Sequence, residues 1–376
     1  MVRRLRMGMI GGGPGAFIGP VHRFAAEMDR EIELVAGVFS SDAARSAAAG
    51  ESYRIDPARA YPSLDAMFAG EAARDDGIDF VSIVTPNHNH LPSARAALAA
   101  GLPVITDKPL TATLAEAHEL AGLVASAGLP FGVTYTYSGY PLVREARARI
   151  AAGEIGTIRK VVVEYPQGWL AGEAVGKQAE WRVDPTKAGL GGCIGDIGVH
   201  AFQLAEFVTG LRVTEMLADL GAVVPGRLLD DDCTILLRFD NGQPGGARGV
   251  LLASQIEVGE LNGLRIRAYG DKGGIVWKQE VPNTLTMHSL DGRTEIIHAG
   301  GSQLGPDAAS RTRTPAGHPE GYLEAFANLY RDFAALVRGE AAPLLPGIAD
   351  GVRGMTFIDT AVSASRAKAG WVKLEG

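Results

Sequence analysis

Residues 5–22, LRMGMIGGGPGAFIGPVH, decide the fold of the first part of the chain. An apolar run from Leu5 to Ile10 leads into a glycine-rich loop, and helix-forming residues follow the loop. Glycines at such a point let a buried strand turn tightly into a helix that packs back against it. The stretch therefore predicts the first strand, loop and helix of a βαβ unit.

Short apolar runs continue to alternate with alanine-rich segments up to about Tyr135. This alternation predicts parallel βαβ units, and hence an α/β domain with a doubly wound parallel sheet over residues 1–135. The further predicted strands are Ile32 to Phe39, Phe80 to Val84, Pro103 to Thr106 and Phe131 to Thr134. Helices are predicted from Pro92 to Ala100 and from Leu114 to Ala127, each followed by a glycine.

From residue 136 onwards, β-branched runs are separated by turn signals such as Asn241-Gly242. This pattern predicts hairpins and a large, mostly antiparallel, open sheet. Helices are predicted at Gly192 to Thr209, Glu320 to Arg338 and Ile348 to Ala369, which gives an α+β domain over residues 136–376. The stretch from Ala299 to Pro319, rich in Gly, Pro, Ser and Thr, predicts a long loop.

Composition excludes several classes of protein. The 376 residues exceed the size of one typical core, so two domains are expected. With 36 basic and 43 acidic residues the net charge is −7, which argues against a nucleic-acid partner. The two cysteines, Cys193 and Cys233, indicate a reducing cytoplasm without a structural metal. No apolar run is long enough for a signal peptide or a membrane helix.

The glycine-rich loop also predicts a ligand. Backbone amides at such a helix start bind the pyrophosphate of a dinucleotide. We expect Gly11, Gly13, Phe17, Ile18 and Gly19 to bind this cofactor, in a loop enlarged by the long Gly13 to Gly19 spacing. The alternative is a tight turn that binds no ligand.

The end of the second strand carries Ser40 and Ser41 where an NAD site would hold a carboxylate. Arg45 follows one helical turn after Ser41. Hydroxyl and guanidinium donors suit a 2′-phosphate, so we expect NAD(P) with a preference for NADP. Asp42 leaves two alternatives open, since it either binds the ribose or caps the following helix.

Three residues are candidates for catalysis: Lys108 in Thr106-Asp107-Lys108-Pro109, and Asp196 and His200 in Gly195-Asp196-Ile197-Gly198-Val199-His200. Asp196 and His200 are four residues apart in a helical pattern, so they share one face. Oxidation of an alcohol requires a hydride acceptor and a base that takes the hydroxyl proton. The chain therefore combines a cofactor loop with a titratable cluster.

Together with Thr85-Pro86-Asn87-His88-Asn89-His90 and Gly191-Gly192, these residues resemble the glucose-fructose oxidoreductase, inositol dehydrogenase and MocA-like family over essentially the whole chain. The marks of that family are Glu-Lys-Pro after the fifth strand and Asp-Ile-Gly-x-His on a helix of the second domain. The resemblance implies an NAD(P)-dependent enzyme that oxidises a ring secondary hydroxyl of a sugar, glycoside or cyclitol to a ketone, or catalyses the reverse reaction.

The resemblance also implies roles for individual residues. Lys108 would contact the nicotinamide ribose and the substrate hydroxyl, His200 would act as acid and base, and Asp196 would orient the sugar and His200. It implies that further residues lie along the cofactor, namely Thr85, Pro86, Asn87, His90 and Asp107. Asp107 stands where the family usually has Glu, so its side chain is one methylene shorter. The Lys108-Pro109 peptide is expected to be cis.

Either Lys108 or His200 is a candidate for the terminal base. A free lysine titrates near 10.4, so its environment would have to lower its pKa by about three units before it could act near neutrality. Histidine, near 6.5, needs almost no shift. We therefore favour His200 as the base, with the Lys108 ammonium stabilising the developing alkoxide.

Aromatic and polar side chains of the second domain are candidates for substrate binding, because flat faces and donors suit a polyhydroxylated ring. They are Tyr137, Tyr140, Trp169, Trp181, Arg182, Asp196, His200 and, at the end of the long loop, His318. Each aromatic also fits ordinary core packing. The run Asp230-Asp231-Asp232 is acidic enough for a cation, but we interpret it as a solvated turn before a strand.

Two other functions remain open from the sequence. One is a non-catalytic NAD(P)-binding sugar sensor, which would have no need of Lys108, Asp196 and His200. The other is a nicotinamide-dependent glycosidase on the same fold. In every case we expect a small-molecule sugar or cyclitol as ligand, no membrane partner, and a homodimer or homotetramer formed through the C-terminal sheet.

Overall fold

The computed structural model of the protein describes residues 3–173, 176 and 182–375. They form two compact units. The first contains the chain up to Thr136 together with Leu323–Val352, and the second contains Tyr137–Tyr322 and the chain from Arg353 onwards. This division differs from the expected one in a single segment, because residues 323–352 belong to the first unit.

The first unit is built on a five-stranded parallel sheet of order β2-β1-β3-β4-β5. Its strands are β1 Leu5–Gly11, β2 Ile32–Val38, β3 Phe80–Val84, β4 Val104–Thr106 and β5 Phe131–Val133. Its helices before Thr136 are α1 Ile18–Met28, α2 Ala43–Tyr53, α3 Leu64–Ala72, α4 His90–Ala99 and α5 Leu114–Ala127. The predicted doubly wound α/β sheet is therefore confirmed.

Local signals in the sequence explain where these helices begin and end. Helix α5 starts at Thr113, whose side chain accepts the amide of Glu116 while the Glu116 side chain accepts the amide of Thr113. This reciprocal capping satisfies two amides that a helix start would leave unpaired. The helix ends at Gly128, which adopts the left-handed conformation that glycine tolerates best.

Helix α10, Tyr322–Val337, supplies the part of the first unit that the sequence did not assign to it. Its Phe333 ring packs edge-on against Phe80 of β3, with 5.2 Å between ring centroids. Its Tyr330 hydroxyl lies 2.7 Å from Ser82 Oγ on the same strand. These tertiary contacts join a distant segment of the chain to the parallel sheet.

The second unit is built on a nine-stranded sheet of order β13-β12-β11-β10-β6-β9-β8-β7-β14. The neighbours β6 and β9 are parallel, and the other pairs are antiparallel. The strands are β6 Ile158–Pro166, β7 Arg212–Gly221, β8 Asp232–Asp240, β9 Ala247–Ser254, β10 Arg265–Gly270, β11 Gly273–Lys278, β12 Thr284–Ser289, β13 Thr294–His298 and β14 Val372–Lys373. The predicted large, mostly antiparallel sheet is confirmed.

The helices of the second unit include α6 Pro141–Ala151, α7 Pro185–Ala188, α8 Val199–Thr209, α9 Pro306–Ala309 and α11 Ile348–Arg366, whose first turn belongs to the first unit. Helix α6 packs on β11 and β12. Helix α8 packs on β6, β9 and β10. The opposite face, which we call the open face, carries Leu217, Leu236, Val250 and Val162 side by side on four neighbouring strands. Leu236 is 39% exposed.

The segment predicted as one helix from Gly192 to Thr209 differs in form from that prediction. Residues Ile194–Gly198 form a π-helical turn, and the α-helix proper starts at Val199. Such wider turns are frequent at functional sites. Among the residues described, no helix is both long and apolar enough to span a membrane.

Candidate active site

The glycine-rich loop joins β1 to α1 in very close packing. A Cβ on Gly13 would lie 2.4 Å from the carbonyl oxygen of Phe39, and one on Gly19 would lie 2.4 Å from Gly12 Cα. Gly11 and Gly12 have positive φ angles of 95° and 77°. These positions therefore require glycine, because any side chain would push the loop away from the sheet and the helix.

The start of α1 suits a phosphate group. The residue before the helix, Phe17, makes no side-chain cap, and its ring is 58% exposed. A side chain of α2 stabilises the loop, because Tyr53 Oη donates to the carbonyl oxygen of Gly12 at 2.6 Å. Helix amides without a side-chain cap favour an anion, so the loop fits a dinucleotide.

At the end of β2, Asp42 caps α2, accepting the amide of Arg45 at 2.8 Å. Of the two alternatives for Asp42, the structure therefore shows the cap. Ser40 Oγ accepts the amide of Asp42 at 3.2 Å. Ser41 and Arg45 are exposed at the same turn. Two hydroxyls and a guanidinium thus surround the end of this strand.

The Thr85 to His90 motif follows β3. The buried Thr85 Oγ1 has no hydrogen-bond partner among the described residues, whereas Pro86 is exposed and Asn87 is buried. Both ring nitrogens of the buried His90 lie 2.9 Å from main-chain carbonyl oxygens, those of Pro109 and Thr85. Burial lowers the pKa of His90, against the opposing effect of the Asp107 carboxylate. His90 therefore links two loops, and its contact with the cofactor stays a prediction.

Asp107 and Lys108 follow β4 directly. Asp107 Oδ1 accepts the amide of Lys108 at 2.8 Å and the hydroxyl of Thr134 at 3.1 Å. The short carboxylate thus holds its own loop, which agrees with its reduced reach. The Lys108-Pro109 peptide is cis, as the resemblance implied.

In the second unit, Asp196 lies in the π-helical turn and accepts two hydrogen bonds on one oxygen. Arg182 Nε donates to Asp196 Oδ2 at 3.0 Å, and Gln255 Nε2 donates to the same oxygen at 2.9 Å. Charge-assisted bonds of this kind are among the stronger ones in proteins. The Asp196 carboxylate is therefore held in one orientation by a cation and a neutral amide.

His200, in the first turn of α8, is buried between two tyrosines. The Tyr137 ring packs edge-on against it with 4.9 Å between centroids, and the Tyr165 centroid lies at 6.4 Å. The hydroxyls of Tyr137 and Tyr165 are hydrogen-bonded to each other. Burial raises the pKa of Tyr137 to about 12 and that of Tyr165 well above its usual range. Both phenols therefore stay protonated at neutral pH.

A chain of amide groups continues from these tyrosines. Tyr165 Oη donates to Asn262 Oδ1 at 2.7 Å, and Gln167 Nε2 donates to the same oxygen at 2.9 Å. Trp169 Nε1 in turn donates to Gln167 Oε1 at 2.8 Å. Arg182 lies over the Trp169 ring, 5.7 Å from its centroid. The second unit thus joins an indole face, that of the 45% exposed Trp169, to a row of donors and acceptors.

Three further residues were predicted to bind the substrate: Tyr140, His318 and Trp181. Tyr140 is buried, stacks on Tyr137 and packs against Trp277. It therefore supports the site from within the core. His318 is exposed, and its Nδ1 lies 3.3 Å from the carbonyl oxygen of Pro315 in its own loop. Trp181 lies outside the described residues.

The interpretation of Asp230-Asp231-Asp232 as a solvated turn is wrong. Both carboxylate oxygens of Asp230 accept backbone amides, those of Gly192 and Ile194, each at 2.7 Å. Asp231 is 1% exposed and accepts the amides of Val223 and Val224. Burial raises the pKa of Asp230, and its amide donors oppose this effect. Acidic side chains can be buried in this way when they replace water by backbone donors.

Comparison with known proteins assigns the chain to a family. Residues 5–135 match the oxidoreductase family with an NAD-binding Rossmann fold, and residues 143–276 match the GFO/IDH/MocA C-terminal domain. The chain belongs to the GFO/IDH/MocA oxidoreductase family. It is therefore an oxidoreductase with an NAD-binding Rossmann domain, and the resemblance seen in its motifs is confirmed.

Relatives within the GFO/IDH/MocA family match nearly the whole chain. The uncharacterized oxidoreductase YfiI of Bacillus subtilis (strain 168) is 35% identical over 385 residues, which cover 99% of this chain and 97% of that protein. An inositol dehydrogenase homologue from Azotobacter vinelandii, whose crystal structure was solved in complex with NAD+, is 36% identical in sequence. The match has a TM-score of 0.93 and covers 99% of this chain and 98% of that one. Levoglucosan dehydrogenase, in complex with NADH and levoglucosan, is 26% identical. That match has a TM-score of 0.86 and covers 99% of this chain and 100% of the other.

Four side chains of this candidate site were not predicted from the sequence: Tyr165, Gln167, Gln255 and Asn262. One signal existed for Tyr165, because Val161, Val163 and Tyr165 alternate along β6 and so face the same side. The amides follow no periodic pattern. They meet only because β6, β9 and β10 are neighbours in the sheet.

Proposed function

We propose that the protein is an NAD(P)-dependent dehydrogenase that oxidises a ring secondary hydroxyl of a sugar, glycoside or cyclitol to a ketone, or catalyses the reverse reduction. The observation that carries this proposal is the second-unit cluster, in which Asp196, His200 and the hydrogen-bonded amides lie beside an exposed indole. Such a mixture of one flat face and many donors and acceptors suits a polyhydroxylated ring.

Residues of the first unit would hold the cofactor. Gly11, Gly13, Phe17, Ile18 and Gly19 would approach the pyrophosphate at the start of α1, and Thr85, Pro86, Asn87 and His90 would support the nicotinamide side together with Asp107. The buried Thr85 hydroxyl without a described partner supports this assignment. When bound, the nicotinamide supplies the hydride acceptor.

The proton is handled by residues of the chain itself. His200 takes the proton of the substrate hydroxyl. At the same time the C–H bond of the carbon that carries this hydroxyl is broken, its hydride leaves for the nicotinamide, and the carbonyl forms. The Lys108 ammonium stabilises the negative charge that develops on this oxygen. Asp196, fixed by Arg182 and Gln255, accepts a hydrogen bond from the substrate and so orients the ring. In the reverse direction, His200 returns the proton.

Cofactor choice is the second part of the proposal, and we expect use of both dinucleotides with a preference for NADP. Ser40, Ser41 and Arg45 lie together after β2, where a 2′-phosphate would need donors. Asp42 Oδ1 accepts the amide of Arg45 and so holds this carboxylate at the start of α2. This placement supports the serines and Arg45 as the residues that face the 2′ position.

Self-association is the third part. The open face presents an apolar row, Leu217, Leu236, Val250 and Val162, across the middle of the second-unit sheet. Beside it, Glu164 is paired with Arg265 and Arg267. Apolar patches with a polar rim are typical of protein interfaces. We therefore propose a homodimer or homotetramer formed through this face.

The function is tested by a substrate screen with the purified protein. Inositols, hexoses, glycosides and anhydrosugars are incubated with NAD or NADP, and the absorbance band of the reduced nicotinamide is followed. We expect reduction of the cofactor with at least one polyol class, with a ketone recovered in equal amount.

Two results would contradict the proposal. Tight cofactor binding without turnover of any polyol or keto-sugar would identify a sensor. Release of the aglycone from a glycoside without net formation of reduced cofactor would identify a glycosidase.

A further inference from the structure

The residues Asp230 and Asp231, which we call the aspartate joint, lie between the loop after β7 and the start of β8. Asp196 and His200 lie in residues 192–200, which we call the catalytic segment. The first three amides of this segment donate to Asp230. Those of Gly192 and Ile194 reach its two carboxylate oxygens, and that of Cys193 reaches its carbonyl oxygen, all at 2.7 Å. One residue thus accepts three consecutive amides where the chain enters the π-helical turn.

The backbone of Gly192 packs so closely on Asp230 that a side chain at position 192 would not fit. A Cβ on Gly192 would lie 2.3 Å from the carbonyl oxygen of Asp230 and 2.9 Å from the Leu229 side chain. The peptide before the π-helical turn is therefore seated directly on the backbone of the aspartate joint. Asp196 and His200 follow within eight residues of this anchor.

Asp231 fixes a second and a third segment. Its carboxylate accepts the amides of Val223 and Val224 at 2.7 and 2.9 Å. Its carbonyl oxygen accepts the amide of Gln255 at 2.9 Å. The end of β9, the loop after β7 and the catalytic segment therefore meet at two adjacent residues.

Gln255 carries this fixed geometry to Asp196. Its side chain is almost fully buried, with 2% of the residue exposed, and Nε2 donates to Asp196 Oδ2. Its carbonyl oxygen accepts the amide of Leu170, beside the indole of Trp169. Asp196 is thus located twice. Asp230 holds the backbone of residues 192–194, whose Gly192 carbonyl oxygen accepts the amide of Asp196, and Gln255 holds the Asp196 carboxylate.

We propose that Asp230, Asp231 and Gln255 are positioning residues for Asp196 and His200. This inference rests on the proposed function, in which those two residues act on the substrate hydroxyl. A misplacement of reacting groups by about 1 Å can cost about 100-fold in rate.

The first test replaces Asp230 by Asn, which keeps the shape but turns an acceptor into a donor that faces a backbone N–H. We expect kcat to fall at least about tenfold, with an unchanged Kd for the reduced cofactor. Asp232→Asn is the matched control, because Asp232 belongs to the same run but pairs with Ser254 through the β8–β9 ladder. It should keep the kcat of the wild type.

The second test uses Gln255→Glu and Gln255→Leu, in case the Asp230 variant does not fold. Gln255→Glu places a second carboxylate against Asp196, beside Arg182. Two carboxylates that share a site bind a proton more readily than either one alone. The ratio of the variant kcat to the wild-type kcat should therefore rise as the pH is lowered, whereas Gln255→Leu should show a low kcat at every pH. A purely structural role would not produce this difference.

A measurement without substrate separates this inference from the proposed function. Hydrogen exchange of the peptide spanning residues 190–200 should be faster in Asp230→Asn than in the wild type and unchanged in Asp232→Asn. Faster exchange combined with a wild type that turns over no polyol would reject the function and leave the anchoring intact. Wild-type exchange, kcat and pH profile in the Asp230 and Gln255 variants would overturn the positioning role.

Discussion

In the proposed mechanism, His200 takes the proton of the substrate hydroxyl, and it packs between two tyrosines. The flanking phenols of Tyr137 and Tyr165 hold their protons, because burial raises the pKa of each. They therefore do not compete with the imidazole as bases at neutral pH. His200 is the residue of this cluster whose ordinary pKa range suits a base near neutrality.

We expect His200→Ala and Lys108→Ala each to lower kcat by at least about 100-fold, because each removes a group that acts in the transition state. Cofactor affinity, measured by fluorescence titration, should survive His200→Ala. His118→Ala, at an exposed position of α5, is the control and should retain full turnover. Near-normal turnover of both active-site variants on a verified substrate would remove the proposed mechanism.

The serines after β2 carry the prediction on cofactor choice. Ser40→Asp should shift the ratio of kcat/KM values from NADP towards NAD, since a carboxylate repels a 2′-phosphate and binds a ribose diol, each effect amounting to about 1–3 kcal/mol. Arg45→Ala should weaken NADP more than NAD. The prediction would be wrong if the wild type strongly preferred NAD and Arg45→Ala changed kcat/KM equally for NAD and NADP. This turn would then not contact the 2′-phosphate.

At the scale of elements, the loop between β1 and α1 depends on close contact of two glycines. We expect Gly19→Ala to raise the Kd for the cofactor by at least about tenfold, because the new Cβ would lie 2.4 Å from Gly12 Cα and 2.8 Å from Tyr53 Oη. Isothermal titration of the folded variant measures this. Gly122→Ala is the matched control, since α5 has open space there and alanine favours a helix by about 1 kcal/mol. Equal affinity in both variants would contradict the assignment of this loop.

The sequence was most informative where the pattern is local. The strands β1 to β5 follow from apolar runs, and α5 was predicted with both its bounds, because Thr113 and Gly128 mark its ends. The predicted bounds of the other elements of the first unit lie within two residues of the observed ones.

Prediction failed where the information is tertiary. Helix α10 belongs to the first unit because Phe333 and Tyr330 pack on β3, and nothing in its own sequence specifies that partner. The acidic run was misinterpreted for the same reason, since only the fold places the amides of residues 192–194 and 223–224 around it. Of the candidate site, Asp196, His200 and Arg182 were predicted, whereas the amide side chains beside them were not.

At the scale of the whole molecule, acid sensitivity should arise from a buried histidine that has no role in the proposed chemistry. His22 on α1 is fully buried, with Nδ1 2.8 Å from Tyr330 Oη. Burial lowers the pKa of His22 to about 4, against the effect of Asp107. The unfolded chain therefore binds a proton at higher pH than the folded chain does, so this stability is complete above about pH 6.5 and is lost as the pH falls towards 4.

We expect His22 to contribute a loss of up to about 3 kcal/mol in the free energy of unfolding over this range. Glutamine cannot titrate, so the free energy of unfolding of His22→Gln should change less than that of the wild type between about pH 7 and about pH 4.5, as measured by urea unfolding. The comparison of the two proteins cancels the other titrating groups. The same slope in both would mean that His22 does not govern acid unfolding.

The open face makes a prediction about the assembly. Leu236→Glu should lower the molar mass in solution measured by light scattering, because a charge in an apolar interface is costly to desolvate. Ala125→Glu adds the same charge at an exposed position of α5 and should leave the mass unchanged. A wild type that is monomeric at micromolar concentration would reject the interface.

For anyone who redesigns this protein, the aspartate joint divides the second unit into parts to keep and parts to vary. The loops that leave it carry exposed side chains such as Val223, Leu228, Val258 and Leu261. Their ends are anchored through Asp231 and Gln255, so randomised loop sequences need not move Asp196. A library confined to these positions should retain the arrangement around Asp196, whereas a library that includes residues 230, 231 and 255 should consist mainly of clones in which that arrangement is lost.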